Sequence, residues 1–261
     1  MVTGAPLQLS VATYNIHKGF SVTPLFARRP TLHVLREQLR LLGTDLVFLQ
    51  EVVGAHAVHA ARHRDWPAQS QCEYLADSLW NSHAYGRNAV YDAGHHGNAV
   101  LSRYPITRWD NEDVSAHRFE RRGLLHCEIA VPGWPQPLHC VCVHLALTAR
   151  GRGLQLERLR QRIERLVPPD APLIVAGDFN DWYWRHRATQ ELALPLNMHE
   201  VFELKGGVPA RSFPAVLPLL RLDRIYVRGF SVREVRVHHG RPWGRISDHA
   251  PLTAQLERLP G

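Results

Sequence analysis

Apolar residues fall in short uninterrupted runs along this chain, and each run stops at a polar cluster. Leu9 to Tyr14 ends at Asn15, and Leu46 to Leu49 ends at Gln50 and Glu51. Val141 to Val143 ends at His144, and Leu173 to Ala176 ends at Gly177, Asp178, Phe179 and Asn180. Runs this short and this rich in Val, Ile and Leu, with no alternating polar face, predict strands buried on both sides. Further strands are predicted over Asp223 to Val227 and Ser231 to Val237, joined by a turn at Gly229, and over Leu252 to Leu256. Spacings of three and four predict a helix over Thr31 to Leu42, with Leu32, Leu35, Leu39 and Leu42 inward. A second is predicted over Leu154 to Leu166, with Leu156, Leu159, Ile163 and Leu166 inward. The other face of that helix carries Arg158, Arg160, Arg162 and Arg165, which reads as a solvated face. Strands and helices alternate irregularly, so the pattern predicts a layered α/β (α+β) sandwich in one domain, residues 1–261, and not an eightfold barrel.

Ends of buried strands are where open α/β sheets place their sites. The residues there are Asn15, Glu51, His144, Asp178, Asn180 and Asp223, joined by Asp248 and His249 just before the last strand. Any one of them reads as a turn residue or a structural histidine, because Asp and Asn bond nearby backbone. Their recurrence along the chain is what points to chemistry. Oxygen ligands from Glu51 and Asp248, with Asn15 and Asp178 nearby, suit Mg²⁺ or Mn²⁺ better than zinc. A histidine held by a carboxylate can take a proton from water, and His249 with Asp223, and His144, are the candidates. No phosphate-binding P-loop, dinucleotide fingerprint or nucleophile elbow occurs.

Composition narrows the field of partners. Among 261 residues, 31 Lys and Arg against 24 Asp and Glu give a net charge of +7, with an isoelectric point near 9.6. Only Lys18 and Lys205 are lysines. Planar guanidinium groups match phosphate geometry, although a GC-rich coding bias would also replace Lys by Arg. Cys72, Cys127, Cys140 and Cys142 are too sparse for a disulfide framework and read as buried thiols. The most apolar segment, Ala215 to Leu220, is far shorter than a membrane span and carries Pro218. With no basic leader at the start, the expectation is a soluble, cytoplasmic, monomeric protein with at most peripheral membrane contact.

Seven segments together resemble the endonuclease/exonuclease/phosphatase (DNase I-like) superfamily. They are residues 12–17 (ATYNIH), 45–51 (DLVFLQE), 97–103 (GNAVLSR), 142–145 (CVHL), 175–180 (VAGDFN), 222–226 (LDRIY) and 247–250 (SDHA). They follow the family's order and cover nearly the whole chain. Residues 86–91, 95–98 and 219–223 look closest to its YbhP-type bacterial branch. The resemblance implies a four-layer sandwich, two face-to-face mixed β-sheets with helices outside, and a Mg²⁺ or Mn²⁺ cofactor. By motif it implies that Glu51 is the principal metal ligand, with Asn15 and Asp248 beside it. Asp178 and Asn180 would then position water and phosphate. His249, oriented by Asp223, would be general base, interchangeably with Asp178, and His144 the second histidine on phosphate. An acid partner for His144 is not evident, since residues 81–98 offer only Asp92.

The implied activity is hydrolysis of a phosphoester, foremost by a phosphodiesterase of the endonuclease type. Residues 181–187 (DWYWRHR) interleave aromatic and basic groups, so Trp184 reads as a base-stacking or lipid-interface contact, or as simple packing. Arg122, in Arg121-Arg122-Gly123, and Asn98, behind His95 and His96, are further candidate substrate contacts, each with a structural alternative. The substrate stays open between nucleic acid and a phospholipid or other small phosphodiester. A binding protein with a relic site is disfavoured, because all eight key positions are intact.

Overall fold

The computed structural model describes residues 7–21, 29–63, 66–117, 119–182 and 191–259. Two six-stranded mixed sheets stack face to face. The first has the order β11-β12-β1-β2-β4-β3 and the second β5-β6-β7-β8-β10-β9. In the first sheet lie β1 (Gln8–Asn15), β2 (Leu46–His56), β3 (Ser82–Tyr91), β4 (Gly94–Ser102), β11 (Phe230–Val237) and β12 (Leu252–Arg258). In the second lie β5 (Ile106–Asp113), β6 (Gly123–Ile129), β7 (Leu138–His144), β8 (Leu173–Asp178), β9 (His199–Glu200) and β10 (Asp223–Arg228). Helices α1 (Leu32–Leu42) and α3 (Gln71–Ala76) cover the first sheet, α2 (Ala57–Arg62) directly follows β2, and α4 (Ala149–Leu166) covers the second sheet.

Uninterrupted apolar runs follow directly from this layering. Leu9 and Val11 of β1 point between the sheets, against Cys142, Ile174 and Ile225, while Ala12 and Tyr14 point outward to Leu35 and Leu39 of α1. In β7 and β8, Cys140 and Ile174 face inward, and Val141 and Val175 face Leu159 and Ile163 of α4. Each fully buried Leu, Ile or Phe contributes about 1.5–3 kcal/mol, so three contiguous apolar layers leave no polar face on the central strands. All four cysteines are free and buried.

Three elements differ from the sequence reading. β2 does not stop at Leu49 but runs on to His56. α4 begins at Ala149, a turn ahead of Leu154, because Thr148 caps it by accepting the Gly151 N–H. Arg162 is not on a solvated face: its guanidinium is buried and donates at 2.6 Å to both Asp110 and Glu112. Among the described residues, no helix is long and apolar enough to cross a membrane.

Candidate active site

Register places the site. β7 and β8 pair in parallel with His144 opposite Asp178, and β8 and β10 pair antiparallel with Asp178 opposite Asp223. Three neighbouring strands of the second sheet therefore end on one row of polar side chains. The first sheet supplies the facing row. Asn15 closes β1, and Ser247 donates to the Asn15 carbonyl at 2.7 Å, which ties the Ser247-Asp248-His249 turn to that strand end. Glu51 needs a special device. Between Leu49 and Val52 the β2–β4 register slips, so Gln50 and Glu51 together face Asn98, and Glu51 takes φ 58°. Such a bulge re-aims one side chain out of the pleat.

The contacts form one connected cluster. Asp223 accepts from His249 Nδ1 at 2.8 Å, and His249 Nε2 lies 3.8 Å from Asp178 Oδ2. Asp178 also accepts from Asn15 Nδ2 at 3.1 Å and from the Asn180 N–H at 2.9 Å. Asn15 Nδ2 reaches Glu51 Oε1 at 3.5 Å, and His17 Nδ1 stands 3.3 Å from Asp248 Oδ1. Among the described residues, His17, Lys18, Glu51 and Asn180 all have positive φ without being glycine, a concentration of backbone strain found at functional sites.

Burial and mutual charge set the protonation states. Burial, reinforced by Asp223, lifts the Asp178 carboxyl to about 7, against the pull of His249. Burial alone would lower His249, but the Asp223 and Asp178 carboxylates outweigh it and push it up to about 10. Burial first, and then the Arg122 and His249 charges, hold His144 well below its ordinary value. His144 is thus neutral, and its 3.5 Å approach to Asp178 is not an ion pair. The carboxylate nearest this histidine comes from β8; Asp92 is solvent-exposed.

Six of the eight strand-end residues join this cluster through direct side-chain contacts: Asn15, Glu51, His144, Asp178, Asp223 and His249. Asn180 joins through its backbone, while its amide donates to the Leu145 carbonyl at 2.9 Å. Asp248 joins through His17. Arg122 sits half-buried, donating to Glu120 at 3.0 Å and to the Leu145 carbonyl at 3.2 Å. Asn98 is buried, its amide donating to the Gly123 and Cys142 carbonyls of the opposite sheet. Trp184 lies outside the described residues. Sequence reasoning gave Gln50 no role beyond ending a run, yet it is fully buried and donates to Thr13, to the Phe48 carbonyl and to Cys142 of the facing sheet. A polar residue inside an apolar run beside a bulge was the available signal.

A hard divalent cation fits these groups. Glu51 Oε1 and Asp178 Oδ2 both approach Asn15 Nδ2, at 3.5 and 3.1 Å, and Asp223 Oδ1 is buried with no hydrogen-bond partner among the described residues. One ligand atom each from Asp178, Asp223 and His249 also lies within 4.8 Å of the others.

Two docked sheets thus form an α/β sandwich with carboxylates, amides and histidines meeting at one edge. The Endonuclease/Exonuclease/phosphatase family profile matches residues 12–249, and the chain belongs to that family. It is 48% identical over 246 residues to the uncharacterized protein YbhP of Escherichia coli (strain K12), covering 94% of this chain and 95% of that one. Among solved structures, D. rerio TDP2 complexed with single strand DNA product superposes with a TM-score of 0.70 at 22% identity, over 96% of this chain and 99% of that one. An endonuclease/exonuclease/phosphatase from Beutenbergia cavernae DSM 12333 does so with 0.71 at 20%, over 97% and 72%. At these identities the superpositions establish the fold, the four-layer sandwich implied by the motifs.

Proposed function

We propose that this chain is a divalent-metal-dependent phosphodiesterase. The observation that carries the reading is the continuous chain Asp223–His249–Asp178–Asn15–Glu51, which joins a proton-handling pair to an oxygen-rich cation site across the two sheets. Mg²⁺ or Mn²⁺ held by Glu51, with Asn15 and Asp248, would neutralise charge on the phosphate oxygens. The chain's own groups do the rest. Asp178, fixed by Asn180 and Asn15, aligns the attacking water, and the Asp178–His249 pair takes its proton, titrating as one unit. Asp223 keeps His249 oriented. The water oxygen bonds phosphorus, the ester P–O bond breaks, and the leaving oxygen is protonated from the same network. His144 donates to a phosphate oxygen, and Arg122 adds positive potential behind it.

Nucleic acid as substrate is supported by the excess of arginine and by the likeness to TDP2, itself solved with a single strand DNA product. A phospholipid is supported by the exposed aliphatic side chains of Val216, Leu217 and Leu219. Hydrolysis of bis-p-nitrophenyl phosphate tests the common chemistry. Turnover should require Mg²⁺ or Mn²⁺, stop with EDTA, and vanish in Glu51→Gln. Asp223→Asn should lower kcat by roughly 10²–10⁴ with the fold retained. Metal-independent turnover, or an active Glu51→Gln, would overturn the proposal.

A further inference from the structure

The most apolar segment of the sequence does not enter the interior. Val216 and Leu217 are each 68% exposed, and Leu219 is 59% exposed. Their loop is nevertheless rigidly mounted. Leu219 and Leu220 N–H groups close it by donating to the Phe213 carbonyl at 2.7 Å. The Ala215 N–H donates to the Asp248 carbonyl and the Ala250 N–H to the Ser212 carbonyl, each at 2.7 Å. Phe213 presents its ring against His249, centroids 5.2 Å apart, and Ser212 Oγ accepts the Asp223 N–H. An aliphatic tip is thus fastened at its base to the backbone that carries Asp223, Asp248 and His249.

Charge lies beside it. A cavity of about 400 Å³ adjoins the tip, lined by Trp182, Val208, Arg211, Leu219, Leu220 and Arg221, with Asp181. Among the described residues, neither Arg211 nor Arg221 forms an ion pair. Burial together with Arg211 and Arg224 lowers the Arg221 pKa, the mark of cations crowded upon one another.

We propose that this face docks on an anionic lipid bilayer. Val216, Leu217 and Leu219 enter the boundary between headgroups and acyl chains, and Arg211 and Arg221 meet lipid phosphates. The consequence for substrate, a headgroup phosphodiester delivered to the site, rests on the phosphodiesterase reading; the docking does not. Lipid fits better than nucleic acid because bases stack on rings, and an exposed Val-Leu-Pro-Leu tip offers none. Each methylene transferred into the acyl boundary strengthens partition about fourfold.

Sedimentation of the full chain with vesicles, in EDTA, tests this. Phosphatidylcholine alone is compared with equal parts of phosphatidylcholine and phosphatidylglycerol. The wild type should follow the anionic vesicles. Leu217→Asp and Arg211→Glu should each weaken partition by about tenfold or more, and Leu217→Trp should strengthen it, all with unchanged turnover of bis-p-nitrophenyl phosphate. Glu51→Gln should bind vesicles like the wild type, so a failure of the catalytic reading leaves a distinct signature. Absence of binding to anionic vesicles, or variants that partition like the wild type, would overturn the proposal. So would a Leu217→Asp effect confined to a single-stranded oligonucleotide.

Discussion

Replacing Gly177 by alanine tests how closely the strands that carry the site are held. Gly177 has φ 152° and lies opposite Val143 on β7. A Cβ built there would sit 1.9 Å from the Val143 carbonyl oxygen and 3.0 Å from the Val143 nitrogen. Cβ contacts below 3.0 Å essentially do not occur, and the obstructing atom is backbone, so β7 and β8 must part locally by about 1 Å. Overpacking of this kind costs about 1–3 kcal/mol and the unfavourable φ a further 1–3, for a combined loss of about 2–6 kcal/mol. In a domain of this size that lowers Tm by roughly 10 °C. The next residue is Asp178, so the 3.1 Å bond to Asn15 and the 3.5 Å approach of His144 shift with it, and activity should fall more than stability alone explains. Urea denaturation with matched m-values, alongside turnover of the small diester, reads both effects. Gly153 is the control: it lies inside α4 with nothing within 4 Å of its would-be Cβ, and alanine there should stabilise by about 0.5–1 kcal/mol. A Gly177→Ala loss below about 1 kcal/mol would refute the claim that this close approach sets the site.

Three further outcomes follow from buried polar groups. His126 and His139 are hydrogen-bonded to each other at 3.0 Å, and burial, with His139 beside it, lowers His126 to about 3. The unfolded chain then binds protons that the fold refuses. Stability should be full above pH 6.5 and decline by about 1.4 kcal/mol per unit as pH falls toward 3, a slope that His126→Gln should reduce in urea titrations at stepped pH. Arg162→Met should cost about 2 kcal/mol by chemical denaturation, since it removes two charge-assisted bonds from a buried guanidinium; an unchanged midpoint would show that the apolar stem alone matters. Burial raises the Cys72 and Cys142 thiols to about 12 and pushes Cys127 and Cys140 well above the ordinary thiol value, so Ellman's reagent should titrate none of the four until denaturant is added.

The strands carrying Asn15, His144 and Asp178 were legible because each is an apolar run that ends on a chemically informative residue, and Asp223 opens β10. Helix α1 was legible for the same kind of reason, with Thr31 before it and Gly43 in a left-handed conformation after it. Residues 82–113 hold three strands that no apolar run announces, because β3 and β5 expose much of their length at sheet edges and β4 carries Gly94 and Gly97. Glu51 was identified without the means of its placement, since nothing local distinguishes a strand that ends from one that bulges and continues. Arg162 was misread because helical spacing shows which face it shares, but not that Asp110 and Glu112 of β5 would arrive to meet it. Asn98 and Gln50 depend on partners more than twenty residues away, which only the docking of the two sheets supplies, and Arg122 reaches Leu145 across the β6–β7 pair of its own sheet.

Strand β1 is flanked by β2 in parallel and by β12 in antiparallel, with Gln8 opposite Glu257 and Leu9 opposite Leu256. Of its two neighbours, β1 therefore finds β2 next in strand order and β12 last among the described strands. Asn15 waits on β1, while Asp248 and His249 immediately precede β12. The cluster is thus closed by long-range pairing: the His144–Asp178 row comes from adjacent strands of one sheet, whereas Asp248 and His249 are brought to it by the pairing of β12 with β1.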